Sequence, residues 1–307
     1  MLAEQITAYL QSPFTVINAP LATALAAAGQ QRLTQATGLT DKAYSLAACL
    51  GSPVSAVASS LAGSLGPGLP RLELPALPQL AAFYEEHGLE PLSATELTTM
   101  QAANKLRRAW ALLAGVPAVE ASLRALVKTV QVVRSSDPEI DVSYTHPAVP
   151  FTVLVSVGPD ASPVSSLRVA ESLLHEAMHL KLTLLEQEVA IVKPESQRVY
   201  YSPWRDEERP VRGVLHGMFV FAAIREFYGE LGRQRSLPSS AQVFAADRVE
   251  AISAELAMVK GFIHLPDLTV FGKRLAVGIL TQEKAVENPS LLPKKGPLVA
   301  GTPLESA

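Results

Sequence analysis

The sequence predicts an α+β fold that is mainly helical, with a small antiparallel β element. Apolar side chains recur at helical spacing over much of the 307-residue chain, most regularly between residues 165 and 191. Two β-branched runs, 127–133 and 151–157, are instead typical of strands. The turn-rich loop 135–150 joins these runs, so we expect them to pair antiparallel. Helices must cover them, because two strands alone are only marginally stable.

The N-terminal region, residues 1–120, is predicted to be helical and to have few residues that could take part in catalysis or metal binding. Glycine and proline interrupt its apolar runs, which predicts three short helices: 21–28, 44–50 and 54–65. The segment 66–80 contains four prolines and is expected to be an extended connector. Ser93 and Glu96 match a capping box, which predicts that a long helix begins there and runs to about Ala114.

Further helices are predicted after the two strands. Their expected ranges are 165–191, 211–228, 239–261 and 269–284. Pro194 should end the first of them. Pro210 should open the second, because proline suits the first turn of a helix, and Gly229 should end it. The polar and aromatic segment 194–210 is expected to be a functional loop.

These elements predict one mainly helical domain over residues 1–287. It would combine the helical N-terminal region, a central part at residues 125–230, and C-terminal helices at residues 239–287. The tail, 288–307, holds four prolines among small and polar residues and is expected to be flexible. The sequence shows no internal repeat.

Composition and charge restrict the possible functions. Hydrophobic residues make up 48% of the chain and the net charge is -3, which favours a globular core and argues against a nucleic-acid or anionic-membrane surface. No run approaches the roughly 18 apolar residues of a membrane span, and the first residues lack the basic character of a signal peptide. A lone Cys49 cannot form an intrachain disulfide and is expected to be a small buried apolar residue. We therefore expect a cytoplasmic protein with neither nucleic acid nor membrane as a partner.

The strongest chemical signal is the sequence His-Glu-Ala-Met-His at residues 175–179. Positions four apart lie on the same face of a helix, so the imidazoles of His175 and His179 can bind one metal ion. Glu176 lies beside them, where it can act on a metal-bound water or a substrate. Apolar neighbours surround the pair, which argues against two histidines on a merely solvated surface.

Two histidines do not complete a metal site, since catalytic zinc and non-haem iron enzymes use about three protein ligands. The metzincin pattern needs glycine at position 182 and histidine at position 185, and both are leucine. The gluzincin pattern needs a later glutamate. The candidates for it are Glu226, Glu230 and, on a loop, Glu195. His216 is better placed, because antiparallel packing of the helix 211–228 on the motif helix would bring it back to the pair.

Three arginines mark the loop before this later helix. Arg205, Arg209 and Arg212 bracket the entry to the helix that carries His216. Guanidinium groups bind carboxylates through two parallel hydrogen bonds, so a cluster close to a metal suggests a ligand that bears a carboxylate. Residue types alone leave open the alternative that these arginines pair with the acidic residues 206–208 on a solvated surface.

Together these motifs resemble the HExxH-type, 2-oxoglutarate-dependent peptide β-hydroxylases, which occur in gene clusters for ribosomally made, modified peptides. The matching segments are 173–179, 200–205, 209–210, 213–217 and, further upstream, 141–143 leading to 150–151. The resemblance covers about residues 125–230 well, whereas the first 120 and the last 70 residues match only loosely. The combination is far more specific than the five-residue motif.

This resemblance implies an enzyme that uses Fe(II), the cosubstrate 2-oxoglutarate and O2 to hydroxylate a side-chain β-carbon of a precursor peptide. The metal ligands that it implies are His175, His179 and His216. It also implies that Arg205 or Arg209 holds a carboxylate of 2-oxoglutarate. Most oxygenases of this type use two histidines and one carboxylate. Glu176 could supply the missing charge from outside the ligand set. The strand 151–157 offers an edge to which a peptide substrate could add.

Two other functions compete with this one. A zinc metallopeptidase would use Glu176 as general base on a zinc-bound water, with a downstream glutamate as third ligand and no need for Arg205 and Arg209. A non-catalytic peptide-binding module would hold a structural metal. Structural zinc sites usually contain cysteine ligands, and this chain has one cysteine.

Overall fold

A computed structural model describes residues 2–11, 14–40, 44–50, 61–74, 80–137, 139–234 and 237–281. The fold is α+β and mainly helical, with a two-stranded antiparallel sheet and a larger mixed sheet. This confirms the predicted fold class. The predicted tail 288–307 lies outside the described residues, as does most of the predicted helix 54–65.

Most helices lie where apolar residues recur at helical spacing. In chain order they are α1 (Leu2–Tyr9), α2 (Ala19–Thr37), α3 (Leu46–Cys49), α4 (Ala81–Glu86), α5 (Ala94–Thr99), α6 (Ala102–Ala114), α7 (Pro117–Leu126), α8 (Pro163–Glu186), α9 (Val211–Leu231), α10 (Ser239–Met258) and α11 (Val270–Thr281). A short 3-10 helix, Lys260–His264, separates α10 from α11. The 24-residue α8 carries the His-Glu-x-x-His motif.

The strands form one mixed sheet and one hairpin. The mixed sheet contains β1 (Leu61–Ser64), β2 (Arg71–Glu73), β3 (Thr129–Val133), β4 (Ser143–Tyr144) and β5 (Thr152–Ser156), in the spatial order β1-β2-β3-β5-β4. The hairpin pairs β6 (Val199–Ser202) with β7 (Glu207–Pro210). It lies between α8 and α9 in the chain and packs against α9.

The expected antiparallel pairing of the two buried strands is wrong, because β3 and β5 are parallel. After β3 the chain first forms β4 at the edge of the sheet, and then inserts β5 between β3 and β4. The antiparallel neighbour of β5 is therefore β4, in which Ser143 lies opposite Val155. Every residue of β3 and β5 is buried, as is usual for parallel strands that are covered on both faces. Since β5 has a paired strand on each side, a peptide cannot add to its edge, contrary to expectation.

The predicted helix 21–28 is longer than expected, because Gly29 does not end it. α2 runs from Ala19 through Gly29 and ends only before Gly38, whose φ of 75° lies in the left-handed region. A Cβ atom at Gly29 would lie 2.6 Å from Leu184 Cδ2 of α8. This glycine therefore allows two helices to pack closely and does not end one of them.

Two segments predicted as helix and connector contribute strands instead. The described end of the predicted helix 54–65 is β1, and the expected connector 66–80 contains β2. β2 pairs antiparallel with β1 and parallel with β3, where Arg71 lies opposite Thr129. β2 depends on hydrogen bonds to the distant β3, and β1 in turn pairs with β2. Local apolar spacing does not encode this pairing.

The long helix predicted from Ser93 is divided in two. The capping box of Ser93 and Glu96 is present, as predicted. The first helix, α5, ends at Thr99, and Gln101 has a left-handed backbone with φ of 51°. α6 then begins at Ala102.

The second half of the chain follows the prediction more closely. α9 begins directly after Pro210, as expected, although it continues through Gly229 to Leu231. α8 ends at Glu186, five residues earlier than expected. The segment 194–210, predicted as a loop, contains the β6–β7 hairpin.

α8 lies at the centre of the hydrophobic core. It contacts α2, α6, α7, α9, α10 and the mixed sheet, and its side chains Leu174, Met178 and Leu182 are fully buried. One cluster of buried residues includes side chains of helices as far apart in the chain as α1 and α11. Cys49 is half-buried, and burial raises the pKa of its thiol to about 11, which agrees with an unreactive residue. Within the described ranges no helix is long and apolar enough to cross a membrane.

Candidate metal centre

α8 places the histidine motif in the interior of the protein. The side chain of Ser162 caps the helix by accepting a hydrogen bond from the backbone N–H of Ser165. Helical spacing then turns His175 and His179 to the same face, with their Nε2 atoms 3.1 Å apart. His175 is 4% exposed and Glu176 is 1% exposed. The motif therefore faces the core, as its apolar neighbours in the sequence indicate.

α9 brings His216 to the same place. His216 meets His179 near the start of α9, and Tyr228 meets Glu171 near its end, so the two helices run antiparallel as expected. The Nδ1 atoms of His179 and His216 are 3.2 Å apart, and their rings are stacked at 18°. The structure thus brings together the three histidines that the sequence singles out.

The distances between these imidazoles test whether a metal would fit. Two ligands bound at right angles, each about 2.1 Å from the ion, lie about 3 Å apart, and the Nε2 atoms of His175 and His179 match that separation. His216 approaches His179 on its Nδ1 side, not its Nε2 side. Among the described residues, no group of three His, Cys, Asp or Glu side chains is arranged to hold a metal ion as it stands. The donor chemistry fits a metal, and convergence of all three requires the His179 or His216 ring to turn.

The charge state of the histidines suits metal binding. Burial, with smaller effects from the charges of Arg205 and Arg248, lowers the pKa of His175 to about 3. Burial is also the main cause that holds the pKa of His179 well below its ordinary value. Both rings are therefore neutral at physiological pH, and a neutral imidazole has the lone pair that a metal needs. The buried Nδ1 atom of His175 has no hydrogen-bond partner among the described residues.

Glu176 is fixed by a residue of the mixed sheet. The hydroxyl of Ser143, on β4, donates a 2.6 Å hydrogen bond to Glu176 Oε1. Burial raises the pKa of Glu176 to about 7, although Ser143 and the charge of Arg205 lower it. Glu176 Oε1 lies 4.0 Å from His175 Nε2. The carboxylate is thus adjacent to the histidines without replacing any of them.

The β6–β7 hairpin covers this cluster with an aromatic wall. Trp204, at the tip of the hairpin, is buried, and its ring stacks on Phe221 of α9 at 5.3 Å between centroids. Phe221 in turn packs edge-on against His175. Trp204 lies so close to α9 that a Cβ atom on Gly217 would be 2.6 Å from its ring. Glycine next to His216 therefore allows the hairpin to close over the site.

Replacing Gly217 with alanine is expected to push Trp204 off α9. We expect this change to lower the free energy of unfolding by about 1–3 kcal/mol, as overpacking usually does. Gly229 on the same helix is a matched control, because a Cβ atom there meets nothing within 4 Å. Gly229→Ala should stabilise the protein by roughly 0.5–1 kcal/mol. Urea unfolding measures both effects, and equal stability of the two variants would contradict the close contact between Trp204 and α9.

The predicted arginines have different surroundings. Burial is the main cause of the shifted pKa values of His175, Glu176 and His179, and in each case the charge of Arg205 also lowers the pKa. Arg205 is half-buried in the turn between β6 and β7. Arg209 lies instead on β7, 3.7 Å from Glu207 Oε1. The electrostatic effect of Arg205 on all three groups therefore favours Arg205 over Arg209 as the arginine that acts at the site.

Sequence reasoning missed Glu186, the last residue of α8. Its carboxylate lies 3.1 Å from His216 Nε2 and receives hydrogen bonds from Arg212. Burial alone would raise the pKa of Glu186, but His216 and Arg212 hold it below the ordinary value. The signal was present, since Glu186 follows His179 by seven residues and thus shares its helix face.

A second missed group lies one helical turn before the motif. Glu171, on α8, accepts a 2.8 Å hydrogen bond from the hydroxyl of Tyr228 and pairs with Arg248 of α10. Arg248 is also one of the charges that lower the pKa of His175. This buried network ties three helices together beneath the histidines. No local pattern in the sequence connects residues so far apart.

The glutamates that a gluzincin would need are engaged elsewhere. Glu226 accepts hydrogen bonds from the backbone N–H groups of Val16 and Ile17. Glu230 pairs with Arg233 on the surface. Glu195 is exposed in the segment before the hairpin. The histidine cluster meets Glu186 instead of any of these three.

Comparisons with known proteins find no family model that matches this chain, and no curated protein matches it. The resemblance to peptide β-hydroxylases therefore rests on the motifs and their spacing.

Proposed function

We propose that this protein is a non-haem Fe(II)- and 2-oxoglutarate-dependent oxygenase that hydroxylates a β-carbon of a ribosomally made precursor peptide. The observation that carries the proposal is the position of His216. A histidine, not a gluzincin glutamate, approaches the His175–His179 pair from α9. Neutral imidazoles are suitable ligands for iron, and the resemblance stated above implies this ligand set.

Different residues of the chain would hold the metal and the cosubstrate. His175, His179 and His216 would hold the metal. When bound, Fe(II) supplies the oxidative chemistry that uses 2-oxoglutarate and O2. Arg205 would pair with the far carboxylate of 2-oxoglutarate, because burying that charge without a partner is costly.

Two further groups would support the reaction without binding the metal. Glu176 would add negative charge beside three uncharged ligands, and the hydrogen bond from Ser143 fixes its position. Trp204 and Phe221 form the apolar wall next to His175 and would exclude water. Such exclusion protects a reactive site from side reactions.

A zinc metallopeptidase is the alternative. Glu176 favours it in one respect, since a general base works best with a pKa near the working pH, and the pKa of Glu176 is about 7. The third ligand and the arginine argue against it. The gluzincin candidates are bound elsewhere, and a peptidase needs no guanidinium near the metal.

Anaerobic reconstitution tests the proposal. The protein is loaded with Fe(II) and 2-oxoglutarate, and O2 is then added with and without candidate peptides. We expect succinate to form, and the correct peptide to gain the mass of one oxygen atom. A zinc-loaded sample is the control and should form no succinate.

The peptidase makes opposite predictions for the same samples. It would cleave peptide when loaded with zinc, would not depend on 2-oxoglutarate, and would lose activity on Glu176→Gln. Cleavage without any succinate would therefore replace the oxygenase proposal.

A further inference from the structure

Glu186, the last residue of α8, contacts His216 of α9. Its Oε2 atom lies 3.1 Å from His216 Nε2. A carboxylate accepts hydrogen bonds but cannot donate them when ionised. His216 must therefore donate from Nε2, so Nδ1 is the ring nitrogen that remains for a metal ion. That Nδ1 atom is the one that faces His179, at 3.2 Å.

Arg212 holds the carboxylate of Glu186 in place. Arg212 lies one helical turn before His216 on α9, and its Nε is 3.1 and 3.0 Å from the two oxygens of Glu186. Its second nitrogen donates to Oε2 at 2.6 Å. The side chain of Glu186 is 15% exposed and that of Arg212 is 55% exposed. The arginine therefore closes the solvent side of a carboxylate whose inner side contacts the histidine.

We propose that Glu186 is a positioning residue, which fixes the tautomer and ring orientation of His216 so that Nδ1 faces the metal. This inference rests on the metal site of the proposed function. Ligand histidines commonly donate their other ring N–H to a carboxylate, and loss of that partner weakens metal binding. The ligand set would then combine Nδ1 of His216 with Nε2 of His175, and the ring that turns to complete the set would be that of His179.

This arrangement also assigns a role to Arg212. The hydrogen bonds that its guanidinium donates to described residues all go to Glu186. Arg212 would therefore support the histidine through the carboxylate and would not bind the cosubstrate. The sequence left its role open between a cosubstrate ligand and a surface ion pair.

Metal affinity without turnover tests the inference. Co(II) is titrated into the full-length protein, and the dissociation constant and the visible absorption spectrum are recorded. Glu186→Ala is expected to weaken Co(II) binding by about 10–100-fold, the usual effect of losing such a partner. Glu186→Gln keeps a carbonyl oxygen that can accept from His216, so it should retain much of the affinity.

Glu188→Ala is the matched control. Glu188 lies two residues away and pairs with Arg32, with its side chain 23% exposed. It should leave the affinity and the spectrum unchanged. Thermal unfolding in the presence of a chelator separates a structural effect, because a merely structural role lowers stability equally with and without metal.

The outcomes distinguish this inference from the proposed function. If the Co(II) affinity of Glu186→Ala lies within about twofold of the Co(II) affinity of Glu188→Ala, the proposed role of Glu186 is overturned. If Glu186→Ala does not fold, Arg212→Ala answers the same question, because it removes the donors that hold the Glu186 carboxylate. Wild-type affinity of Arg212→Ala would then overturn the role of Glu186 as well. If the Co(II) affinities are as expected but the iron-loaded wild type forms no succinate, the role of Glu186 is upheld and the oxygenase is rejected. Failure of the wild type to bind Co(II) would reject both.

Discussion

Replacing His179 with alanine is expected to weaken Fe(II), Co(II) and Zn(II) binding by more than about 100-fold. His179 is the central ring of the cluster, with nitrogen contacts to His175 at 3.1 Å and to His216 at 3.2 Å. Its loss removes a ligand and separates the two remaining ones. Partners outside a ligand set already cost about 10–100-fold, so a ligand should cost more.

Titration of the metal-free protein with Co(II) or Zn(II) measures this effect. His264→Ala is the control, because His264 is exposed in the 3-10 helix after α10. Unfolding in chelator shows whether the His179 variant still folds. Affinity within about tenfold of the His264 variant would mean that the histidine cluster is not a metal site.

The two helices that carry the histidine cluster are well predicted by the sequence. His175 and His179 share a helix face because helical periodicity is a local property. The return of His216 follows from antiparallel packing of two helices that are consecutive in the chain apart from the segment 187–210, which contains the β6–β7 hairpin. Both expectations agree with α8 and α9.

The sheet could not be predicted with the same success. The apolar runs that become β3 and β5 identify two strands but do not fix their direction. β5 lies parallel to β3 because β4 first occupies the edge of the sheet. The two-residue β4 is too short to give a periodic signal. It nevertheless carries Ser143, which holds Glu176.

The surroundings of the histidines were the least predictable feature of the site. Glu186 shares a helix face with His179, but this spacing alone does not distinguish it from a solvent-exposed glutamate. Only its contact with His216 of α9 gives it a role. Arg205 and Arg209 are equivalent as residue types, so the sequence left the choice between them open. The hairpin separates them, because Arg205 lies in its turn and its charge helps to lower the pKa of His179, whereas Arg209 lies on β7.

Replacing Arg205 with alanine is expected to weaken 2-oxoglutarate binding strongly while leaving metal binding nearly unchanged. The cosubstrate is a dianion, and its far carboxylate must be paired when it is buried. A guanidinium can donate two charge-assisted hydrogen bonds to it. Loss of such a partner typically costs about 2–5 kcal/mol, which corresponds to roughly 30-fold to several-thousand-fold in affinity.

Arg209→Ala is the matched control for this experiment. Arg209 belongs to the same hairpin and carries the same charge, but it lies beside Glu207. It should change the dissociation constant of 2-oxoglutarate by less than about threefold, since exposed ion pairs contribute little. Calorimetric titration of 2-oxoglutarate into anaerobic, Fe(II)-loaded protein measures both variants.

Arg205→Lys separates the effect of charge from that of geometry. Lysine keeps the positive charge but lacks the planar pair of donors that matches a carboxylate, so we expect an affinity between those of the wild type and Arg205→Ala. If Arg209→Ala shows the large loss instead, Arg209 and not Arg205 is the arginine that holds the cosubstrate. If neither arginine variant alters 2-oxoglutarate binding, the oxygenase loses its cosubstrate anchor. The zinc peptidase, in which Glu176 acts on a metal-bound water and no guanidinium is required, would then account better for the site.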